Sequence, residues 1–228
     1  MQVGEALPGV WAEDIHLDAF PKDGRGKTMQ PSSLLRVQSV NVGLPRAVLW
    51  KGRQVLTGIF KEPVAGRVAV RRLNLEGDQQ ADLTAHGGPE MAIYVYPAEY
   101  YAFWREQFPE MELPWGMFGE NLTIWGLRDD TVYIGDQLQM GSAHLVVTQP
   151  RVPCYKLALK FGRDDILKRF FQSGFSGFYC AVLQEGEVGA GDPVRLLHRE
   201  EHEVSVLDIL RLEGEGKPRQ RMLEKFGQ

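Results

Sequence analysis

The sequence predicts a mainly β fold with some α-helix: a mixed β-barrel with peripheral helices and a short helical tail at the C-terminal end. Three observations lead to this prediction. Short β-rich segments separated by turn residues are numerous, helical patterns are few, and the two do not alternate regularly. A regular alternation would instead predict a doubly wound parallel sheet of the Rossmann type.

Individual strands are predicted where apolar and polar residues alternate with period two, or where a short apolar run lies between turn residues. Lys51-Gly52-Arg53 separates two such segments and predicts a hairpin turn. The predicted strands cover residues 36–43, 47–50, 54–60, 67–75, 92–96, 121–125, 137–140, 144–148, 178–183 and 193–197.

Helical periodicity is confined to a few segments. Pro97 opens a predicted helix that extends to Phe108, and Asp164 is a suitable N-cap for a helix that ends at Phe171. Two short helices are predicted in the tail, over 205–212 and 219–226. The predicted division is an N-terminal extension (1–33), a β-barrel domain (34–200) and the helical tail (201–228), which should pack on the barrel because two short helices can hardly form a core.

Composition excludes several classes of protein. The 228 residues are 43% hydrophobic with a net charge of −4, which is typical of a globular chain and unlike a nucleic-acid-binding domain. No apolar run approaches the roughly 20 residues of a membrane span, and the first residues lack the pattern of a signal peptide. Two cysteines form no disulfide framework. We therefore expect a cytoplasmic protein that binds neither nucleic acid nor membrane.

Cys154 is the first candidate for chemistry. It follows Pro153 at the end of an apolar run and lies between Arg151 and Lys156, two cations that favour a thiolate. Pro153 suits the first position of a helix, which would direct the positive end of the helix dipole at the sulfur. The alternative is a small buried apolar residue, as most free cysteines are. Cys180 lies inside an apolar strand and is predicted to belong to the core.

A loop with a histidine and a glycine pair precedes the predicted strand at 92–96. Gly87 and Gly88 would let backbone amides approach an anion closely, and His86 would donate to a phosphate or position an acid. The alternative is a tight turn with a solvated histidine. Loops of this length without regular structure are often functional.

Two further segments supply weaker candidates. Asn121 follows Gly119 in a turn that presents oxygen and amide groups, although it would also be suited to satisfying the turn itself. Lys61 follows a predicted strand and is a candidate phosphate contact. An ordinary surface lysine is the alternative at that position.

Together and in this order, four segments resemble the MOSC domain family, named after the C-terminal domain of molybdenum cofactor sulfurase. The resemblance covers about residues 35–200 and is nearest to the stand-alone bacterial members linked to resistance against N-hydroxylated base analogues. The matching segments are Thr57-Gly-Ile-Phe-Lys-Glu-Pro-Val, Gly77-Asp-Gln-Gln-Ala-Asp-Leu-Thr-Ala-His-Gly-Gly, Phe118-Gly-Glu-Asn-Leu and Gln149-Pro-Arg-Val-Pro-Cys-Tyr-Lys-Leu.

The resemblance implies a β-barrel and a molybdenum cofactor in which a pyranopterin holds the metal. Similar amidoxime-reducing enzymes use the motif cysteine as a metal ligand, which is Cys154 here. Met91 departs from the pattern because a basic residue is expected there, and the tail is shorter than the three-helix appendage of many stand-alone members. The expected cofactor-binding residues are Lys61, His86, Gly87, Gly88, Asn121 and Arg151.

The leading hypothesis from the sequence is a molybdenum-cofactor-dependent oxidoreductase that reduces N-hydroxylated compounds such as hydroxylaminopurines. A separate flavin or iron–sulfur reductase would supply electrons, because the chain has no nucleotide or flavin fingerprint. A homodimer is compatible with the sequence. Two alternatives stay open: a sulfur carrier or cofactor-delivery module using Cys154, and a cysteine hydrolase with His86 as the base.

Overall fold

A large, mainly antiparallel sheet with four packed helices forms the body of the described part of the protein. In the computed structural model, residues 35–81 and 87–214 are described. Eight strands are hydrogen-bonded in the order β12-β8-β9-β10-β6-β7-β1-β4, and only the β6–β7 pair is parallel. Their bounds are β1 Arg36–Val42, β4 Glu62–Pro63, β6 Ile93–Pro97, β7 Leu122–Trp125, β8 Gln137–Met140, β9 Ala143–Pro150, β10 Phe178–Gln184 and β12 Val194–His198.

Two pairs of strands lie outside this sheet. Strands β2 (Arg46–Trp50) and β3 (Arg53–Thr57) form a hairpin, and β5 (Arg67–Val70) pairs with β11 (Gly186–Gly189). The hairpin confirms the turn predicted at Lys51-Gly52, where both residues have positive φ angles of 48° and 78°. Two central residues with positive φ are what a tight two-residue hairpin requires.

Four α-helices occur within the described residues: α1 Tyr100–Gln107, α2 Tyr155–Phe161, α3 Asp165–Ser173 and α4 Val206–Gly214. None of the helices in this part of the chain is both long enough and apolar enough to cross a membrane. The first three lie over an aromatic core. The fourth packs its Val206 into the core of the sheet, and the backbone N–H of Leu207 donates to the carbonyl of Asp129 at 2.9 Å.

Strand β6 separates two cores, which explains why all five of its residues are buried. Successive strand residues point to opposite faces. Ile93 and Val95 therefore join the aliphatic core, while Tyr94 and Tyr96 join the aromatic core beneath the helices. The Trp104 indole N–H donates to the Tyr96 hydroxyl at 2.7 Å, so polar atoms in the aromatic core are also bonded.

The large sheet confirms the mainly β prediction, whereas a closed barrel is not established by the strands described. The ends of the sheet order, β12 and β4, do not pair, although residues 191–194 exchange backbone hydrogen bonds with Leu35 and Val37 near the start of β1. Closure of the family barrel stays a prediction, as do the domain boundaries. The second predicted tail helix, 219–226, lies outside the described residues.

Several predicted bounds of strands and helices differ from those in the structure. Pro97 ends β6, and α1 begins three residues later at Tyr100. The segment 67–75 forms a strand only over Arg67–Val70. The helix suggested to begin at Pro153 is present as α2, but it begins two residues later, at Tyr155.

Candidate functional site

The pocket that contains Cys154 is lined by residues in or next to strands β6, β7, β9 and β10 of the large sheet. It is partly open to solvent. Its walls come from six separate parts of the chain. They are the end of β3 and the residues after it (Thr57, Gly58, Ile59, Lys61), the segment 78–81, Met91 with Tyr94, the segment before β7 (Phe118, Gly119, Asn121), the 151–156 segment and Tyr179.

Asp78 joins three of these parts. One carboxylate oxygen accepts from the backbone N–H of Gly43 at 3.0 Å and from Lys61 Nζ at 2.5 Å, and the other accepts from Asn121 Nδ2 at 2.9 Å. The side chain of Asp78 is almost fully buried. A buried charge needs this degree of pairing to be tolerated. Asp78 is part of the loop motif in the sequence, but its link to Lys61 depends on the fold.

The alternative prediction for Lys61, an ordinary surface lysine, is wrong. Its side chain is buried in the pocket wall, and Nζ lies 2.5 Å from both Asp78 oxygens. Burial lowers the pKa of Lys61, although the carboxylates of Asp78 and Glu120 oppose that shift. Because Asp78 already compensates its charge, Lys61 has less capacity for a phosphate than a cation without a carboxylate partner.

Asn121 lines the pocket and also connects it to the sheet. Its amide oxygen accepts from the backbone N–H of Tyr94 at 3.0 Å, while Nδ2 donates to Asp78. Gly119, two residues earlier, has a φ of 84°, and a Cβ there would lie 2.8 Å from a side-chain carbon of Ile59. Glycine is therefore required at this position both for the backbone angle and for the close approach.

Arg151 is a buried cation of the pocket for which no carboxylate partner is found among the described residues. Its side chain is 5% exposed, and Nη1 is buried without a hydrogen-bond partner in this part of the structure. The guanidinium carbon lies 5.4 Å from the ring of Tyr94 and 5.1 Å from that of Phe170. Burial opposes the charge, but the Coulombic effects of Tyr94, Tyr179 and Cys154 outweigh it and raise the pKa of Arg151.

Cys154 occupies the N-cap of α2 in an extended conformation and is partly exposed. It lies at the N-cap rather than in the first turn, and its side chain forms no capping hydrogen bond; the effect of the helix dipole on Sγ stays a prediction. Arg151 also supplies positive charge, since the Coulombic interaction with Cys154 contributes to the raised pKa of Arg151. Cys180 is fully buried in β10, and burial raises the pKa of its thiol. This confirms the predicted core role of Cys180.

Lys156 is a pocket residue that the sequence offered only as a neighbour of Cys154. It is buried in the wall formed by the first turn of α2. Tyr179 also lines the pocket, and burial raises its pKa while Arg151 partly offsets the shift. The sequence already showed that Lys156 is two residues from Cys154. Tyr179 lies in β10, far from Cys154 in sequence, and no local pattern indicated that it lines the pocket.

The geometry does not test the predicted contacts of His86, Gly87 and Gly88 with an anion. Gly88 has a φ of 98° and precedes a short 3₁₀ helix, Pro89–Met91. A Cβ at Gly88 would meet nothing within 4 Å, so the backbone angle rather than packing requires glycine. Met91, where a basic residue was expected, lines the pocket. His86 lies outside the described residues.

A second buried cluster of polar side chains, around Glu120 and Lys160, stabilises the pocket wall. Glu120, fully buried, accepts from the Tyr101 hydroxyl at 2.5 Å and from the backbone N–H groups of Gly116 and Phe118. Lys160 Nζ donates to the carbonyls of Ile59 and Gly116. Burial lowers the pKa of Lys160 to about 8, against the attraction of Glu120. These bonds fix the segments that carry Ile59 and Gly119.

The fold and the pocket together match a known class of domain. The MOSC domain model matches residues 82–195, which include the segments around Asn121, Arg151 and Cys154. The chain is also 46% identical over 170 residues to the uncharacterized protein YflK of Bacillus subtilis, a match that covers 75% of this chain and 76% of YflK. This chain belongs to the MOSC domain family.

Two further similarities refine this placement. The crystal structure of YiiM from Geobacillus stearothermophilus superposes with a TM-score of 0.68 at 34% identity, covering 84% of this chain and 89% of that one. A protein named reductase from Gibberella moniliformis is 34% identical over 200 residues. That match covers 86% of this chain but only 34% of the reductase. The resemblance found in the sequence is thereby confirmed.

Proposed function

We propose that this MOSC protein binds a pyranopterin molybdenum cofactor in the pocket and reduces N-hydroxylated compounds, such as hydroxylaminopurines. The observation that carries the proposal is the pairing of Cys154 with Arg151 in one pocket. A buried guanidinium with an unpartnered Nη1 favours an anionic ligand, because a buried donor without a partner is costly. A thiolate is a soft ligand suited to a transition metal. The residues present therefore fit the cofactor.

The chain's own side chains would divide the work of holding that group. Cys154 would be the metal ligand, and Arg151 would donate to an anionic part of the cofactor. Asn121 and Lys61 would keep the wall in place through Asp78, whose carboxylate they share. We extend the proposed contacts to Lys156 because it is buried in the same wall. When bound, the cofactor supplies the two-electron redox chemistry that amino-acid side chains lack.

The overall reaction defines what else is needed. Reduction of R–NHOH to R–NH₂ and water consumes two electrons and two protons. The electrons would come from a separate flavin or iron–sulfur reductase. The relative named reductase supports redox chemistry in this family, although this chain spans only 34% of its length. We also propose that the eight-stranded sheet forms the β-barrel that is expected of the family.

Metal and pterin analysis, combined with one substitution, tests the proposal. Wild-type protein purified gently should contain molybdenum and pterin in near-stoichiometric amounts, and it should reduce an N-hydroxylated purine with a chemical electron donor. Cys154→Ala should abolish turnover, because no other thiol lines the pocket among the described residues. Cys180→Ala is the matched control and should remain active. Full activity in folded, molybdenum-loaded Cys154→Ala protein would exclude the role of Cys154.

A sulfur carrier or cofactor-delivery module is the second candidate. Cys154 is partly exposed, and its neighbours Val152 and Tyr155 are each 49% exposed, so a donor protein could reach the thiol. The same purified protein separates the two candidates. Sulfane sulfur on Cys154 without molybdenum favours the carrier, whereas molybdenum with turnover favours the enzyme. The hydrolase alternative stays a prediction, since it depends on His86.

A further inference from the structure

Two tyrosines, Tyr94 and Tyr179, line the pocket next to each other. They are opposite each other in the β6–β10 pairing, and their ring centres lie 5.3 Å apart. Tyr94 is buried, and its hydroxyl donates to the carbonyl of Ser176 at 2.7 Å. Tyr179 is partly exposed, and no carbonyl or carboxylate of the described residues accepts from its hydroxyl. The phenolic proton of Tyr179 is therefore available to a ligand in the pocket.

The pairing of β9 with β10 is irregular beside Tyr179. Tyr179 lies opposite Gln149, whereas Cys180 lies opposite Val147, so Thr148 is an extra residue in β9. The Thr148 hydroxyl donates to the carbonyl of Tyr179 at 3.0 Å, which fixes the backbone at this point. Bulges of this kind often occur next to active sites, where they redirect a side chain. The irregularity therefore marks Tyr179 as a residue that the sheet positions at the pocket.

The segment from Arg151 to Cys154 supplies the charge around Tyr179. The backbone N–H of Arg151 donates to the carbonyl of Gly177 at 3.1 Å, so this segment follows β10 toward the pocket. Burial raises the pKa of Tyr179, the positive charge of Arg151 opposes that rise, and Cys154 adds to it. A phenolate formed at Tyr179 would therefore be stabilised by the Arg151 guanidinium.

Other side chains of the pocket are less suited to donating a proton. Lys61 Nζ lies 2.5 Å from both carboxylate oxygens of Asp78, so its protons are already bonded. The Thr57 hydroxyl accepts from the backbone N–H of Ile59 at 3.2 Å, and an aliphatic hydroxyl is a weaker acid than a phenol. Lys156 is the competing donor, because it is buried in the same wall and no ion pair involves it within the described residues.

We infer that Tyr179 is a catalytic residue that donates its phenolic proton to the hydroxyl oxygen of the N-hydroxylated substrate. This inference rests on the proposed reductase function. Two electrons from the flavin or iron–sulfur reductase enter the substrate as the N–O bond of R–NHOH breaks. The O–H bond of Tyr179 breaks at the same time, and the substrate oxygen leaves as water. Solvent supplies the second proton, which forms the new N–H bond, and afterwards restores the phenol of Tyr179.

Tyr179→Phe tests the inference because it removes the proton and keeps the ring. With reduced methyl viologen as the electron donor and a hydroxylaminopurine as the substrate, kcat should fall about 100-fold or more, as expected for the loss of a general acid. KM should rise by less than about tenfold, since the ring and the other walls are unchanged. Urea denaturation verifies that the variant is folded. A kcat within about threefold of wild type would overturn the inference.

Two further variants make the comparison specific. Tyr155→Phe is the matched control, because Tyr155 follows Cys154 in sequence but does not line the pocket, and this variant should keep its kcat. Lys156→Met tests the competing donor. A large loss of kcat in the Lys156 variant together with a normal kcat in Tyr179→Phe would assign the proton to the lysine and overturn the inference.

Chemical rescue separates the proton of Tyr179 from the packing of its ring. Tyr179→Ala leaves space in the pocket wall for a small aromatic molecule. Added phenol should restore turnover about tenfold or more, because it replaces the missing general acid. Anisole has the same ring without an O–H group and should restore nothing. Equal effects of the two compounds would show that the ring alone matters and would count against proton donation.

Calorimetric binding without an electron donor tests the contact in the absence of turnover. The ligands are a hydroxylaminopurine and adenine, its product, which lacks the oxygen. Tyr179→Phe should bind the hydroxylaminopurine roughly three- to tenfold more weakly than wild type and adenine equally well, since one neutral hydrogen bond is lost. Equal changes for both ligands contradict the contact. Absence of wild-type turnover with any electron donor counts against the reductase function, and the binding difference then decides whether Tyr179 contacts the hydroxyl oxygen.

Discussion

Lys61 and Arg151 are both buried cations in the pocket wall, but they differ in what faces them. Lys61 has both oxygens of Asp78 within 2.5 Å, while Nη1 of Arg151 has no partner among the described residues. A compensated charge contributes to structure, and an uncompensated one favours a ligand. Both residues are cations, so the sequence made them equal candidates for binding the cofactor. Their surroundings in the fold distinguish the two roles.

The contrast between the two cysteines gives the first prediction. Native protein freed of any bound cofactor should be alkylated by iodoacetamide at Cys154 and not at Cys180. Cys180 is fully buried and its thiol pKa is raised, so its reactive thiolate is scarce and inaccessible. Mass spectrometry of the digested protein locates the label. Modification of Cys180 before unfolding would contradict the assigned burial.

The pairing of Asp78 gives the second prediction. Asp78→Ala should lower the free energy of unfolding by about 3–5 kcal/mol, since it leaves Lys61 charged and buried without its partner. The control is Asp164→Ala, which removes an exposed pair with Lys51 and should cost less than about 1 kcal/mol. Urea denaturation measures both values. Similar losses in the two variants would show that burial of the Asp78 pair has little energetic consequence.

At the scale of elements, the segments after β3 and before β7 determine the shape of the pocket. The two segments are in close contact at Gly119 and Ile59. A Cβ added at Gly119 would lie 2.8 Å from a side-chain carbon of Ile59. The backbone N–H groups of Gly116 and Phe118 both donate to Glu120, which holds the second segment in its turn. The pocket wall is therefore built by short connections that the larger strands position.

A pair of glycine substitutions tests this construction. Gly52→Ala, in the hairpin turn, changes a residue with a φ of 78° whose added Cβ would meet nothing within 4 Å. It should cost about 1–2 kcal/mol from the backbone alone. Gly119→Ala has a similar φ of 84° and also contacts Ile59, so it should cost roughly 1–3 kcal/mol more. Thermal and urea unfolding of both variants give the difference, and equal losses would rule out the contact.

At the scale of the whole molecule, Asp129 connects elements that are distant in sequence. Its carboxylate accepts from the backbone N–H groups of Ser176 and Gly177, and its backbone N–H donates to the Tyr100 hydroxyl. The carbonyl of Gly177 in turn accepts from the backbone N–H of Arg151. Asp129 thus links α1 and the start of β10 to the segment that carries the pocket arginine.

The titration of Asp129 predicts how stability depends on pH. Burial raises its pKa from 3.8 to about 7, although hydrogen bonds from Gly177 and Ser176 oppose the shift. Between these values the folded protein keeps a proton that the unfolded chain has lost. The free energy of unfolding should therefore fall as pH rises from about 4 to 7, by on the order of 4 kcal/mol, and then level off.

Asp129→Asn separates this contribution from other titrating groups. The amide cannot ionise, so the variant should show a flatter dependence between pH 4 and 7 and should be more stable than wild type at pH 8. Urea denaturation at several pH values provides the comparison. Parallel curves for the two proteins would show that Asp129 titrates normally in the folded state.

Local patterns in the sequence determined much of the architecture. Alternation located β1, short β-rich runs located β9 and β10, the turn at Lys51-Gly52 identified the hairpin, and an apolar setting placed Cys180 in the core. These features depend on near neighbours in the chain, because strand periodicity and turn geometry are local properties. The four family segments likewise identified the region that contains Arg151 and Cys154.

Only the tertiary structure decided which of these residues act on one another. Lys61 meets Asp78 across 17 positions and Asn121 meets Asp78 across 43, so no local pattern could reveal the shared carboxylate. The two opposite cores on β6 and the arrival of Tyr179 in the pocket also depend on long-range packing. Burial and pairing of charge are properties of the folded surroundings, and those surroundings distinguish the compensated Lys61 from the unpartnered donor of Arg151.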